Sequence, residues 1–259
     1  MIADMPAILD VEQFMADGFV KIEAAFDREL GLRCQQQLWR AVDLDPGDPA
    51  TWTEPLIRVP AMATPEFAAS ANTEVLTAAF DALVGKAHWR PLRGMGTFVS
   101  RFPSTEAPRE AGWHVEASFY DAAGPRLSLR SRGRALLMLL LYSDVGRDDA
   151  PTAIRVGSHL AVPKVLAQYG SDGAAWMSVC ERVVPATENC EIVSVTGNIG
   201  DVYLCHPFVV HSGTAHRGTV PRFMAQPALE PTGELDLTAE YPSPVAVAVR
   251  RGLGEDHPV

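Results

Sequence analysis

The spacing of apolar positions changes once along the chain. Up to about residue 90 they recur every three or four residues, as amphipathic helices require. From about Met95 they fall in short runs rich in β-branched and aromatic residues, punctuated by Gly and Pro. In the first region Asp10 and Gln13 resemble a capping box and predict a short helix that stops at Gly18. Asp27 predicts the start of a longer one, with Leu30, Cys34, Leu38, Ala41 and Val42 on one stripe. Asn72 is expected to cap a third, whose apolar face is Val75, Leu76, Ala79, Phe80, Leu83 and Val84 and whose stop is Gly85.

The second region predicts strands at 96–102, 113–120, 134–143, 152–156, 191–195, 201–204, 208–212 and 222–227. A single helix at about 162–169 interrupts them. Residues 135–142 are apolar on both faces, as expected of a strand buried between two layers. The expected fold is therefore mainly β with helices: a cupin-like jelly roll with an N-terminal helical layer packed on one sheet. An alternating βαβ arrangement is excluded because the late strands lack helices between them. With no internal repeat or linker, the chain reads as one domain over 1–259. Its parts are a helical layer at about 1–90, a jelly-roll core at about 95–230 and a C-terminal tail at 231–259.

Composition adds boundaries. A chain of 259 residues buries enough surface to fold without disulfides. Its net charge of −10 argues against nucleic-acid or anionic-membrane partners. The longest apolar run has eight residues, far short of the roughly 20 of a membrane helix. The first ten residues carry Asp4 and Asp10 and no basic residue, unlike a secretory leader. Cys34, Cys180, Cys190 and Cys205 are scattered without a C-x-x-C spacing, as free thiols of a reducing compartment would be. A cytoplasmic location is the expectation.

Candidate chemistry centres on His114 and Glu116. Two residues apart on a predicted strand, they leave the same face and supply two corners of a metal site. A third ligand must come from a distant strand. His211, 97 residues later, completes two histidines and one carboxylate, the set that suits non-haem Fe(II) oxygenases. His206 is a rival, although its offset of five from His211 puts the two on opposite faces of a regular strand, unless Pro207 marks a bulge. Eleven residues beyond His211, Arg222 is placed to clamp a carboxylate bidentately. Arg101, ending the strand before the metal pair, and Thr152 are further candidates for contact with cosubstrate or substrate. Arg126, Arg130, Arg132 and Arg134 form a basic stretch that reads either as an attractor of anionic substrates or as a solvated loop.

Three segments resemble the phytanoyl-CoA dioxygenase family of Fe(II)/2-oxoglutarate-dependent oxygenases. They are Phe14-Met15-Ala16-Asp17-Gly18-Phe19-Val20, the run from Ala150-Pro151-Thr152 to Gly157-Ser158-His159, and Gly200-Asp201-Val202-Tyr203-Leu204 continuing through His211 to Arg222. The resemblance implies a double-stranded β-helix, iron held by His114, Glu116 and His211, and the distal carboxylate of 2-oxoglutarate on Arg222. It also implies dioxygen and a small-molecule substrate as partners, with hydroxylation of a C–H bond and succinate and CO2 as co-products. Desaturation, cyclisation and epimerisation share these cofactors. Glu116 stands where the family more often has aspartate, Val156 where proline is usual before Gly157, and His216 where asparagine is common. A retained carboxylate argues for hydroxylation over halogenation. A zinc hydrolase or a non-catalytic small-molecule-binding jelly roll are the rival readings from other classes.

Overall fold

Six consecutive leucine and methionine positions make Leu136–Leu141 a strand covered on both sides, and the molecule is layered around it. A computed structural model describes residues 9–255. The N-terminal third runs α1 (Val11–Asp17), β1 (Phe19–Ile22), α2 (Arg28–Val42), β2 (Leu56–Val59), α3 (Pro65–Ala71), α4 (Glu74–Val84) and β3 (Phe98–Arg101). The middle contains β4 (Phe119–Asp121), β5 (Gly124–Leu127), β6 (Leu136–Leu141), β7 (Ala153–Arg155), α5 (Val162–Leu166), β8 (Ala174–Ala175) and α6 (Trp176–Ala186). The chain ends with β9 (Ile192–Ser194), β10 (Val202–Cys205), β11 (His211–Ser212), β12 (Met224–Ala225), β13 (Ala228–Leu229) and α7 (Pro244–Leu253).

The larger sheet runs β1-β10-β6-β12, with β13 pairing the other half of the same edge of β6. Its pairings are antiparallel, Lys21 opposite Tyr203 and Tyr203 opposite Leu139. The smaller sheet is β11-β7-β9, with His211 opposite Ile154. Period-two alternation in β6 decides which core each residue enters. Leu137, Leu139 and Leu141 pack with Ile154, Val195, Cys205 and Val209 in the core shared with the smaller sheet. Leu136, Met138 and Leu140 pack on the opposite face with Cys34 and Leu38 of α2, Phe67 of α3 and Phe80 of α4. Tyr142 also enters this second core, where its hydroxyl bonds Ser70 Oγ at 2.7 Å.

Several local expectations need correction. The first ninety residues are not purely helical: β1 forms the edge of the main sheet and β2 pairs with β3. Thr73, not Asn72, caps α4, its hydroxyl accepting from Leu76 N–H. Asn72 instead ends α3, where its side chain donates to the carbonyls of Ala68 and Leu92. Asp10 and Asp27 do cap their helices, at the N–H groups of Gln13 and of Glu29 and Leu30. The C-terminal tail contains α7, whose Val245, Ala246, Ala248 and Val249 are buried. Strand 222–227 is divided after Ala225, so β12 and β13 flank Gln226 and Pro227. The largest change is at 113–120. There His114 makes an isolated β-bridge and Ser118 N–H bonds Arg126 O of β5 at 2.9 Å, while two carbonyls between them bond side chains. Val115 O accepts from the Trp176 indole at 2.5 Å and Ala117 O from Arg134 Nε at 3.3 Å.

Candidate metal and cosubstrate site

His114 and His211 sit opposite one another in an antiparallel bridge, exchanging both backbone bonds at 3.0 and 2.9 Å. Such directly paired residues project to one side, and here the two imidazole centroids are 4.4 Å apart. Glu116, two residues on, reaches the same point although the segment is not a regular strand. Its Oε1 lies 3.6 Å from His114 Nε2 and 3.4 Å from His211 Nε2. One ligand atom from each of the three residues falls within 4.8 Å of the others.

The proton positions follow from the partners. His114 Nδ1 faces Gly112 O at 2.7 Å and His211 Nδ1 faces Val209 O at 3.3 Å. A carbonyl only accepts, so each Nδ1 carries a hydrogen, and Nε2 is the atom that offers a lone pair on the Glu116 side whenever the ring is neutral. His211 Nε2 is buried and without a hydrogen-bond partner. Two imidazole nitrogens and a carboxylate converging on one point could hold a cation, and the N/N/O donor set fits a divalent transition metal. Burial of Glu116 pushes its pKa up, but in the metal-free protein the His114 and His211 rings in their protonated form and the Arg134 guanidinium outweigh it. The carboxyl lies well below its usual range. Burial lowers the His114 pKa; the Glu116 hydrogen bond, the Gly112 carbonyl and the Glu116 charge together leave it raised.

Arg222, two residues before β12, enters the same cavity. It is 2% exposed and donates to Ala150 O at 2.7 Å and Val99 O at 3.2 Å, while its Nε is buried without a partner. Burial and the neighbouring Arg101 charge push its pKa down to about 9. Arg101 pairs with Arg222 in a β-bridge and donates to Arg109 O and Glu110 O. Its own Nε is also buried and unpartnered. Two adjacent buried guanidiniums with no carboxylate among their hydrogen-bond partners form an unbalanced positive site, suited to an anion. Thr152 lines this cavity, its hydroxyl 3.9 Å from Met224 Sδ. The cavity measures about 770 Å3 and is lined by His114, Glu116 and His211 together with Arg101, Arg222 and Thr152.

The tertiary structure also separates residues that spacing left open. His206 is buried elsewhere, its ring 4.9 Å from that of His159 and its Nε2 3.3 Å from Val245 O. His216 Nε2 bonds Val220 O at 2.9 Å. The basic stretch is dispersed. Arg126 pairs with Asp121, Arg132 lies over the Phe119 ring, and Arg134 turns inward to 3.7 Å from Glu116 Oε2. That inward turn, and the approach of Gln226 and Trp176 to the cavity, had no signal in spacing.

The sequence profile of phytanoyl-CoA dioxygenase (PhyH) matches residues 14–224, most of the length. The chain belongs to the phytanoyl-CoA dioxygenase family. It is thereby an enzyme of the Fe/2-oxoglutarate-dependent oxygenase type. No curated protein matches it. Among solved structures it is similar to the epimerase SnoN in complex with Fe3+, α-ketoglutarate and nogalamycin RO. That match has 18% identity and a TM-score of 0.61, covering 90% of this chain and 85% of that one. It is similar also to HygX from Streptomyces hygroscopicus with nickel and 2-oxoglutarate bound, at 21% identity, TM-score 0.55 and coverages of 85% and 86%. The α-ketoglutarate-dependent carbocyclase SnoK from nogalamycin biosynthesis matches at 15% identity, TM-score 0.52 and coverages of 83% and 80%. The shared fold is the jelly roll, mainly β with helices, and the metal- and 2-oxoglutarate-bound neighbours agree with Fe(II) and 2-oxoglutarate as cofactors.

Proposed function

We propose that this protein hydroxylates a C–H bond of a small-molecule metabolite, with His114, Glu116 and His211 holding Fe(II) and Arg222 holding the far carboxylate of 2-oxoglutarate. The observation that carries the reading is the shared cavity. It places two imidazole lone pairs and a carboxylate together and, beyond them, two buried guanidiniums without an acidic partner. The chemistry supplied by bound Fe(II) and 2-oxoglutarate is oxidation by dioxygen, with succinate and CO2 as co-products.

The chain's own residues do the rest. The Gly112 and Val209 carbonyls fix both imidazole tautomers, so Nε2 is the donor atom in each. The Ala150 and Val99 carbonyls hold the Arg222 guanidinium in place before any ligand arrives. Arg101 adds a second positive charge and Thr152 a hydroxyl beside it. A carboxylate in the triad supports hydroxylation rather than halogenation. The core shared by helices and sheet supports one domain with its helical layer on the larger sheet. Four unpaired cysteines support a cytoplasmic location.

The test is spectroscopic and needs no substrate. Fe(II) and 2-oxoglutarate added anaerobically to metal-free protein are expected to give the weak visible charge-transfer band of the chelate. The band should weaken in Arg222→Ala and vanish in His211→Ala. Folded, iron-loaded protein without a band would overturn the cosubstrate assignment. Metal-supported hydrolysis without oxygen would instead favour the zinc-hydrolase reading.

A further inference from the structure

The wall of the cavity facing the substrate lies outside the two main sheets. The β4–β5 hairpin and the start of α6 build it, joined through β8, which pairs Arg126 with Ala175 and Leu127 with Ala174. This arrangement carries Tyr120, Pro125, Trp176 and Met177 to the cavity's rim. Tyr120 is 77% exposed and Met177 57% exposed, a large exposed apolar area concentrated at one opening. The Trp176 indole N–H is taken by Val115 O, and the ring stands edge-on to His114 at a centroid separation of 6.1 Å. The aromatic surface therefore begins beside the metal-facing histidine and continues outward to the rim.

The charged groups of the cavity already have partners or a task. Arg58 meets Glu110 through two bonds, of 3.1 and 2.7 Å. Glu116 faces the imidazoles and Arg134. Arg101 and Arg222 serve the cosubstrate on the reading above. Arg126, next to Pro125, is engaged by Asp121 at 3.1 Å and by the carbonyls of Asp172 and Gly173. An ionic substrate would lose its hydration at this rim without gaining a free counter-charge. The side-chain amide of Gln226, brought to the cavity by the break between β12 and β13, supplies a neutral polar contact.

We propose that the substrate is an uncharged molecule that lays a flat, ring-bearing apolar face against Tyr120, Trp176 and Met177. This rests on the Fe(II)/2-oxoglutarate reading of the same site. It opposes the anionic-substrate reading of the arginines at 126–134, whose side chains at 126, 132 and 134 are engaged within the protein. Aromatic stacking and thioether–ring contacts reward such a face without requiring charge.

The test uses 1-naphthol and 1-naphthoate, a neutral ring and its carboxylate counterpart. Each is titrated calorimetrically into anaerobic Fe(II)-loaded protein saturated with 2-oxoglutarate, so that the arginine site is filled. The charge-transfer band is recorded throughout. The neutral ring should bind at least about tenfold tighter and perturb the band. Tyr120→Ala should weaken it roughly three- to tenfold. Met177→Lys, which adds a free cation at the exposed rim, should raise naphthoate affinity. Naphthoate binding equally well, no saturable naphthol binding with the band intact, or an unchanged affinity in Tyr120→Ala would overturn the proposal. Absence of the band itself would instead overturn the cosubstrate reading.

Discussion

Arg134 is the residue whose position changes the picture of the site most. Its guanidinium donates to Ala117 O and stands 3.7 Å from Glu116 Oε2, leaving Oε1 toward the two imidazoles. It thus acts as a positioning residue for the carboxylate. Arg134→Met is expected to lower metal affinity roughly 10- to 100-fold, the range typical of outer-shell partners of metal ligands. Arg134→Lys should recover part of this loss, because a point charge keeps the attraction without the fork geometry. Titration with Co(II), followed by its visible spectrum, measures both. An unchanged affinity in the methionine variant would leave Arg134 with a packing role only. Gly213 gives a second residue-scale expectation. A Cβ there would meet Arg101 Nη2 at 2.6 Å, so Gly213→Ala should displace that guanidinium and weaken 2-oxoglutarate binding. The same anaerobic band titration reads the loss.

At the scale of elements, α1, the turn at Ser158–Leu160 and the end of β10 meet around two buried histidines. His159 Nε2 faces Met15 O at 3.2 Å, and the His206 ring packs 6.1 Å from Phe14. Burial pushes His159 down to about 4, and burial with the His159 charge pushes His206 well below its usual value. The sign follows from linkage. Below about pH 6.5 the unfolded chain takes up protons that the folded one refuses, so stability falls as pH drops from about 6.5 toward 4. His159 alone accounts for a loss of about 3 kcal/mol across that window. Urea midpoints measured from pH 7 to pH 4.5 should fall, and should fall less in a folded His159→Gln variant. Gly18 closes α1 at φ 86°, with His159 Nδ1 only 2.5 Å from where a Cβ would stand. Gly18→Ala should therefore destabilise the same junction twice over, through backbone strain and through collision.

Across the whole molecule, the buried Arg101–Arg222 pair is an unfavourable charge arrangement that an anion relieves, so ligand binding and stability are coupled. With Fe(II) present and 2-oxoglutarate at 100 times its Kd, the folded state gains about 2.7 kcal/mol. For a chain of this size that corresponds to a rise in Tm of roughly 5–10 °C. Differential scanning calorimetry should show the rise in the wild type and lose it in Arg222→Ala. Truncation at the central strand tests the layered core. Leu139 is fully buried in the core shared with the smaller sheet, and Leu139→Ala should cost about 2–5 kcal/mol in denaturant unfolding.

What the sequence alone determined is what local backbone geometry dictates. An unbroken apolar run marked β6 as the strand buried between two layers, the helical stripes placed α2 and α4, and the spacing of His114 and Glu116 singled out the pair, although the strand expected to carry it is absent. The family was legible because its motifs are local runs in a fixed order. Tertiary structure decided what depends on closure over long stretches of chain. It brought His211 rather than His206 beside His114 and Glu116, through a backbone bridge across 97 residues. It also scattered the arginines at 126–134, turning Arg126, Arg132 and Arg134 toward three different partners. The aromatic wall came from β8 joining the β4–β5 hairpin to α6, a two-residue strand too short to leave a periodic trace. Pairings of this kind are set by which distant groups can be desolvated together, and no local pattern records that.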